Sequence, residues 1–240
     1  MIPDNLKPGN LYLIPSFISE TSIPGSLPLL NQEIIKGLDV FIVEELRTAR
    51  RYLRSVGFSK DFESILFFEL NEHTNLSEIG SYLQTVLDGR NAGLISEAGT
   101  PCVADPGAEL VMLAHQNGIR VIPLTGPNSI ILALMASGLN GQKFIFHGYL
   151  PIDKVERKLA IKSIEKDIQT FGRTQIFIEA PYRNLAMFEA LVSNCSNDIK
   201  LCIACNITSK DEFIQTKTIG EWRKVKHEIH KKPAVFLLNQ

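Results

Sequence analysis

Nowhere in the 240 residues is there a run of about 18 apolar side chains, so nothing reads as a membrane-crossing helix. The opening MIPDNLKPGN also lacks the basic start and apolar middle of a secretory leader, and a cytoplasmic protein is expected. A charge excess is missing as well: 25 basic against 26 acidic residues leave no overall field to hold a polyanion, so any nucleic-acid contact must come from a local patch. Cysteine is sparse. Cys102, Cys195, Cys202 and Cys205 suit reduced thiols. Cys202 and Cys205 have the gap of a redox or zinc pair but lie in the strand-like run LCIAC, where positions three apart face opposite ways. Buried thiols are therefore expected rather than zinc, for which His227 and His230 in a lysine-rich tail would be the remaining ligands. Neither GxGxxG nor GxxxxGK[ST] occurs, which weighs against dinucleotide and P-loop sites. No internal repeat or low-complexity segment is found. At 45 % hydrophobic and 21 % charged, the balance is that of an ordinary globular chain, long enough for one large domain or two small ones.

What the chain does have is the stretch Leu94–Gly107, LISEAGTPCVADPG. A buried strand, Ala92–Ile95, runs into a polar loop stiffened by Pro101 and Pro106 and opened by Gly99 and Gly107. Pro106 suits the first position of a helix continuing through Ala108–Gln116. A loop of this kind at the carboxyl end of a strand is where open α/β sheets bind ligands.

The rest of the first half alternates. Strands are expected at Leu11–Ile14, Asp39–Val43, Ile65–Leu70 and Val121–Leu124, with helices at Leu29–Leu38 and Glu45–Val56, at Leu76–Leu87 with Asn75 as cap, and at Ser129–Ser137. Alternation implies a mostly parallel sheet. Later strands at Phe144–Phe146, Gln175–Ile178, Leu201–Cys205, Phe213–Ile219 and Ala234–Leu238 are joined by less helical segments apart from the long helix Val155–Ile168, which suggests a mixed α+β sheet. The fold class is α/β in two lobes, residues 1–122 and 123–240, with helices on both faces of the first sheet.

One helix carries an unusual pattern. Arg47, Arg50, Arg51 and Arg54 fall at i, i+3, i+4 and i+7 opposite the apolar face, with no acid inside the stripe. A phosphate backbone would relieve their mutual repulsion, so RNA or another polyanion is a candidate partner. His73, Lys154, Arg157, Lys158 and Arg183 would extend this surface if they lie on the same side.

The chain resembles the tetrapyrrole methylase superfamily, and within it the branch that methylates a ribose 2′-hydroxyl in small-subunit ribosomal RNA. The resemblance is carried, in the family's order, by EELR at 44–47, NEH at 71–73, ISEAGTP at 95–101 with ADPG at 104–107, TGPNS at 125–129, ASGL at 136–139, FHGYLP at 146–151 and IEAPYR at 178–183. It implies S-adenosylmethionine held in a cleft between two lobes, and a homodimer. It further implies a cofactor wall made by Pro15, by Ala98, Gly99, Thr100, Pro101 and Val103, by Ser129 and Ile130, and by Ala204.

For a ribose hydroxyl a general base is useful, and Glu44, Glu72, His73 and Glu179 are candidates. Each carboxylate can equally be a cap or an ion-pair partner, for instance of Arg47 or Arg183, and His73 a turn residue. Departures from the family fall at substrate-facing segments. They are Pro15 to Glu20, where the family reads Pro-Thr-Pro-Ile-Gly-Asn; Glu45-Leu46, where it has Asp-Thr; and Cys205 to Ser209, where it has Arg-Glu-Leu-Thr-Lys. A tetrapyrrole-like or other small acceptor, or a non-catalytic RNA-binding role, therefore stays open.

Overall fold

The structure is a computed structural model that describes residues 7–19, 27–71, 73–225 and 228–240, with the backbone alone at Leu76. Glu20, Glu72 and His227 lie outside the described residues. Contacts divide the chain into two compact units, one ending at Pro127 and one covering Asn128–Gln240.

In the first unit, strands β1 (Asn10–Ile14), β2 (Val40–Val43), β3 (Leu66–Glu69), β4 (Ala92–Ile95) and β5 (Arg120–Pro123) alternate with α1 (Leu29–Gly37), α2 (Leu46–Ser55), α3 (Leu76–Tyr82), α4 (Gln84–Leu87) and α5 (Ala108–Gln116). All five strands run parallel in the order β3-β2-β4-β1-β5. Alternation of side chains across the pleat separates two cores. Phe41, Val43 and Ile95 pack with Ile35, Ala49 and Leu53 of α1 and α2. Val40, Ile42, Ala92 and Leu94 pack on the other face with Ile79, Val86, Leu110 and Ala114 of α3, α4 and α5. Helices thus cover both faces, as expected.

Adjacent strands β1 and β4 send their outgoing helices, α1 and α5, to opposite faces. Their loops part at the carboxyl edge, which is the switch point where such sheets form a crevice.

Three local expectations are corrected. Asn75 occupies the cap position of α3, yet its side chain makes no capping bond and its Nδ2 donates to Glu78 Oε1 at 3.2 Å. The expected single helix over 76–87 also breaks at Leu83 into α3 and α4. Pro106 does not open α5; Gly107 is the N-cap, at φ 133°, and the helix starts at Ala108. That φ lies in a region closed to proline, whose own φ is fixed near −65°, so the turn is made by glycine one step later.

The second unit holds α6 (Ser129–Ser137), β6 (Phe144–Tyr149), α7 (Lys154–Phe171), β7 (Thr174–Glu179), α8 (Asn184–Asn194), β8 (Lys200–Cys205), β9 (Phe213–Thr218), α9 (Ile219–Trp222) and β10 (Ala234–Asn239). The sheet order is β6-β7-β10-β8-β9, with only β6 and β7 parallel, so the sheet is mixed as expected. α7, α8 and α9 cover one face through Ile161, Ile164, Met187, Leu191 and Trp222. α6 covers the other through Ile130, Ala133 and Leu134. Cys202 and Cys205 are fully buried on opposite faces of β8, one in each core, as their spacing in a strand requires.

Candidate functional site

At the carboxyl edge of the first sheet, three loops are fastened to one another. The loop after β1 is held twice. Tyr52 of α2, in the buried core, donates its hydroxyl to the Pro15 carbonyl at 2.8 Å, and Ser16 N–H donates to the Gly99 carbonyl at 2.8 Å. Within the loop after β4, Ser96 Oγ donates to the same Gly99 carbonyl at 3.3 Å. The loop after β5 is held by buried Asn31 of α1, whose Nδ2 donates to the Thr125 carbonyl at 2.8 Å. Gly126 then lies so close to Pro15 that a Cβ would stand 2.2 Å from its Cγ.

Gly99 has φ 75°, and a side chain there would meet the Pro127 carbonyl oxygen at 3.4 Å. Cys102 and Ala104 also adopt left-handed φ, at 67° and 59°, which costs about 1–3 kcal/mol each for residues with a side chain. Strain of this kind gathers where a backbone is shaped for a ligand. Ser16 is 3 % exposed and its Oγ has no hydrogen-bond partner, so the edge contains one unsatisfied buried hydroxyl.

The carboxylates sit beside these loops. Glu44 follows β2 and Glu97 follows β4, and both line a small cavity with Glu45, Thr48, Tyr52 and Ser96. Asp105 lies within side-chain hydrogen-bonding reach of Glu44, and a carboxyl group can donate there only in its protonated form. Burial first, then that contact and the Glu44 charge, push Asp105 from its ordinary 3.8 up to about 8. Glu97 is raised by burial and by the charges of Glu44 and Glu45. Glu45 behaves oppositely. Its side chain caps α2, accepting from Thr48 Oγ1 and from the Thr48 and Arg47 amides, and those bonds lower its pKa.

A pH signature follows. With its native pKa raised, Asp105 binds more protons folded than unfolded between about pH 4 and about pH 8, so its contribution to stability is lost as pH rises across that window. Asp105→Asn keeps a donor toward Glu44 without a charge. Its melting temperature is expected to fall less than the wild type's over the same range, and parallel melting curves would sink the raised pKa of Asp105.

The other expected residues are placed as follows. Pro15, Gly99 and Pro101 are buried in the fastened loops, while Ala98 and Val103 are exposed on the loop after β4 and Thr100 is half-buried. His73 is exposed in the turn after β3, its amide donating to Asn71 Oδ1 at 3.0 Å. In the second unit Ser129 opens α6, where Asn128 Oδ1 accepts from the Ile131 amide, and Ile130 shares an apolar cluster with Ala204.

Glu179 is fully engaged. Arg183 Nη2 donates to its Oε2 at 2.6 Å and the Ala180 amide to its Oε1 at 2.7 Å, with the Glu179 side chain wholly buried. The segment after β8 is closed on itself by Asn206 Nδ2 to Asp211 and by the Thr208 amide to Glu212. Of the arginine stripe, Arg50 lies 5.4 Å from the ring centres of both Phe62 and Phe67, and Arg54 lies 4.0 Å from that of Phe62. Arg54 Nη1 also donates to the Phe58 and Lys60 carbonyls. These contacts offset the repulsion expected from the stripe's spacing.

Sequence reasoning missed Asp105, Tyr52 and Asn31. Asp105 lay in a motif already singled out, but its meeting with Glu44 depends on strand order. Tyr52 and Asn31 read as ordinary helix positions, and nothing local marks them as anchors of distant loops. Among the described residues no group of three His, Cys, Asp or Glu side chains could hold a metal ion, and no helix is long and apolar enough to cross a membrane.

The sequence profile of the tetrapyrrole (corrin/porphyrin) methylases matches residues 23–222. Relatives include the ribosomal RNA small subunit methyltransferase I of Escherichia coli O157:H7, 32 % identical over 216 residues, 89 % of this chain and 70 % of that protein. The protein of the same name from Leptospira borgpetersenii is 34 % identical over 219 residues, 90 % of this chain and 83 % of that one. Among solved structures, the methyltransferase CobJ superposes with a TM-score of 0.61 at 15 % identity, covering 97 % of this chain and 94 % of its own. The uroporphyrin-III C-methyltransferase of Thermus thermophilus, complexed with S-adenosyl homocysteine, superposes at 0.57 and 16 % identity, covering 97 % and 98 %.

Proposed function

The chain belongs to the tetrapyrrole methylase family, and from that premise we propose that it is an S-adenosylmethionine-dependent methyltransferase whose acceptor is a ribose 2′-hydroxyl in small-subunit ribosomal RNA. The observation that carries the RNA acceptor is that relatives named ribosomal RNA small subunit methyltransferase I match about nine-tenths of this chain, while the ribose 2′-hydroxyl rests on the sequence resemblance.

The residues of the first unit's carboxyl edge fit such a cofactor. A folded nucleoside with an amino-acid end and no phosphate asks for backbone groups and apolar walls, with few side-chain charges. The fastened loops at Pro15, Gly99 and Gly126, the strained backbone at Cys102 and Ala104 and the unsatisfied Ser16 hydroxyl supply these. Ser129, Ile130 and Ala204 complete the proposed set. When bound, adenosylmethionine supplies a methyl group activated by its positive sulfur. The chain's part is then to position the acceptor oxygen and remove its proton. Glu44 suits the second task, since it stands at a strand end beside Asp105, whose pKa is raised by burial and by its contact with Glu44. Glu179, held at both oxygens, suits a positioning role. Arg47, Arg50, Arg51 and Arg54 suit the RNA, with His73 at the neighbouring turn.

A homodimer and a cytoplasmic location belong to the same proposal. The exposed apolar row Ile152, Val155 and Leu159 supports the former as a surface that a second copy would cover.

Millimolar adenosylmethionine is expected to raise the melting temperature, because a ligand bound only by the native state stabilises it. Labelled methyl groups are expected to pass to small-subunit RNA from a strain lacking this enzyme and not to RNA from its parent. Cofactor binding without transfer to either RNA would leave the fold assignment and sink the ribosomal acceptor, in favour of a small-molecule acceptor or a non-catalytic role.

A further inference from the structure

β3 is an edge strand of the first sheet, and at its carboxyl end a groove opens between the start of α2 and the start of α3. Leu46, Phe67, Asn71, His73, Thr74 and Tyr82 line it together with two carboxylates, Glu69 and Glu78. Its walls are built rather than incidental. Glu69 Oε1 accepts from the Leu46 amide at 3.2 Å, and the Tyr82 hydroxyl donates to the Glu69 carbonyl at 3.0 Å, so the strand end, α2 and α3 are tied together around it.

Phe67 stacks at 5.8 Å on Phe41 of the core, and Arg50 lies over its ring and that of Phe62. Arg54 is locked beside Arg50 by its two carbonyl bonds. No carboxylate among the described residues lies within ion-pair distance of Arg50. The result is a planar cation, exposed to solvent and set against the ring of Phe67, which itself lines the groove.

We propose that this groove is a subsite for an unpaired nucleotide of the RNA acceptor, with its base stacked on the Arg50 guanidinium layer and its edge read by Glu69 and Asn71. The inference rests on the RNA reading above and adds a place for it. Guanidinium planes and aromatic rings are the surfaces on which proteins stack unpaired bases. A carboxylate such as Glu69 accepts from an amino group on a base edge. The neighbouring Arg47 and Arg51 put positive charge beside the groove in a molecule whose overall balance, 25 basic against 26 acidic residues, offers none. This complementarity favours a polyanion carrying bases over a protein or an apolar metabolite.

The test is the affinity of the full chain for unmodified small-subunit ribosomal RNA, measured at fixed salt, with the thermal shift given by adenosylmethionine recorded on each variant. Arg50→Gln is expected to weaken RNA binding about tenfold. Arg50→Lys, which keeps the charge and loses the planar face, is expected to weaken it nearly as much. Arg90→Gln, just before the amino end of the central strand β4 and so at the end of the sheet away from the groove, is expected to bind RNA like the wild type. Cofactor thermal shifts matching the wild type's would show that the fold is intact.

Wild-type RNA affinity in Arg50→Gln overturns the subsite, and so does full rescue by lysine, which would leave charge without stacking. A wild type that binds the RNA through Arg50 but transfers no methyl group to it would instead sink the functional reading while the subsite stands.

Discussion

Alanine in place of Gly126 is expected to weaken adenosylmethionine binding by at least about tenfold and to cost about 1–3 kcal/mol of stability, the range for an overpacked site. The added Cβ would stand 2.2 Å from Cγ and 2.4 Å from Cβ of Pro15. Neither neighbour has room to yield. Pro15 is a rigid ring whose carbonyl is pinned by Tyr52, and Thr125 is held by Asn31. The strain must therefore move the loop after β1, and Ser16 is bonded to Gly99, so the displacement reaches the loop after β4. Calorimetry with the cofactor, beside a thermal melt of the same preparation, checks both numbers. A lowered melting temperature with wild-type affinity would mean that these loops form no part of the cofactor wall.

The second large effect is expected at Glu179. Removing its carboxylate as Glu179→Ala leaves the half-buried Arg183 guanidinium without its partner, and breaking a buried pair in this way costs about 3–5 kcal/mol. Replacing both members together, Glu179→Leu with Arg183→Met, is expected to recover most of that loss, because the uncompensated charge goes with its partner. Chemical denaturation of Glu179→Leu, Arg183→Met and the double variant measures the coupling. Methyl transfer by the double variant then decides the role. Activity retained beside recovered stability assigns Glu179 to positioning the end of β7, while activity lost from a stable protein returns it to the reacting groups.

Much of this was readable before any coordinates, and unevenly so. The alternation of buried strands with helices located β1, β2, β4, β8 and α6, because a strand buried on both faces is nearly all apolar whether its neighbours run parallel, as at β2 and β4, or antiparallel, as at β8. The loop after β4 stood out through its glycines and prolines. Asn75 and Pro106 misled because each has the right residue type for a helix start, and the choice between neighbouring positions turned on a φ and a side-chain bond that composition does not record. The contact of Glu44 with Asp105 was hidden for another reason. Sixty-odd residues separate them, and only the adjacency of β2 and β4 brings them together. The arginine stripe was legible as charge, but the rings beneath Arg50 and Arg54 come from the turn and strand that follow α2.

The place of β10 has a consequence for how the molecule is made. β6 and β7 form one ribbon and β8 and β9 another, and the two are joined through β10, which pairs with β7 on one side and β8 on the other. During synthesis the first unit has all five of its strands once Pro123 has emerged, whereas the halves of the second sheet remain unjoined until Asn239 follows them. Until then β7 and β8 each present an open apolar edge, so the nascent chain is exposed to mispairing longest in the second unit.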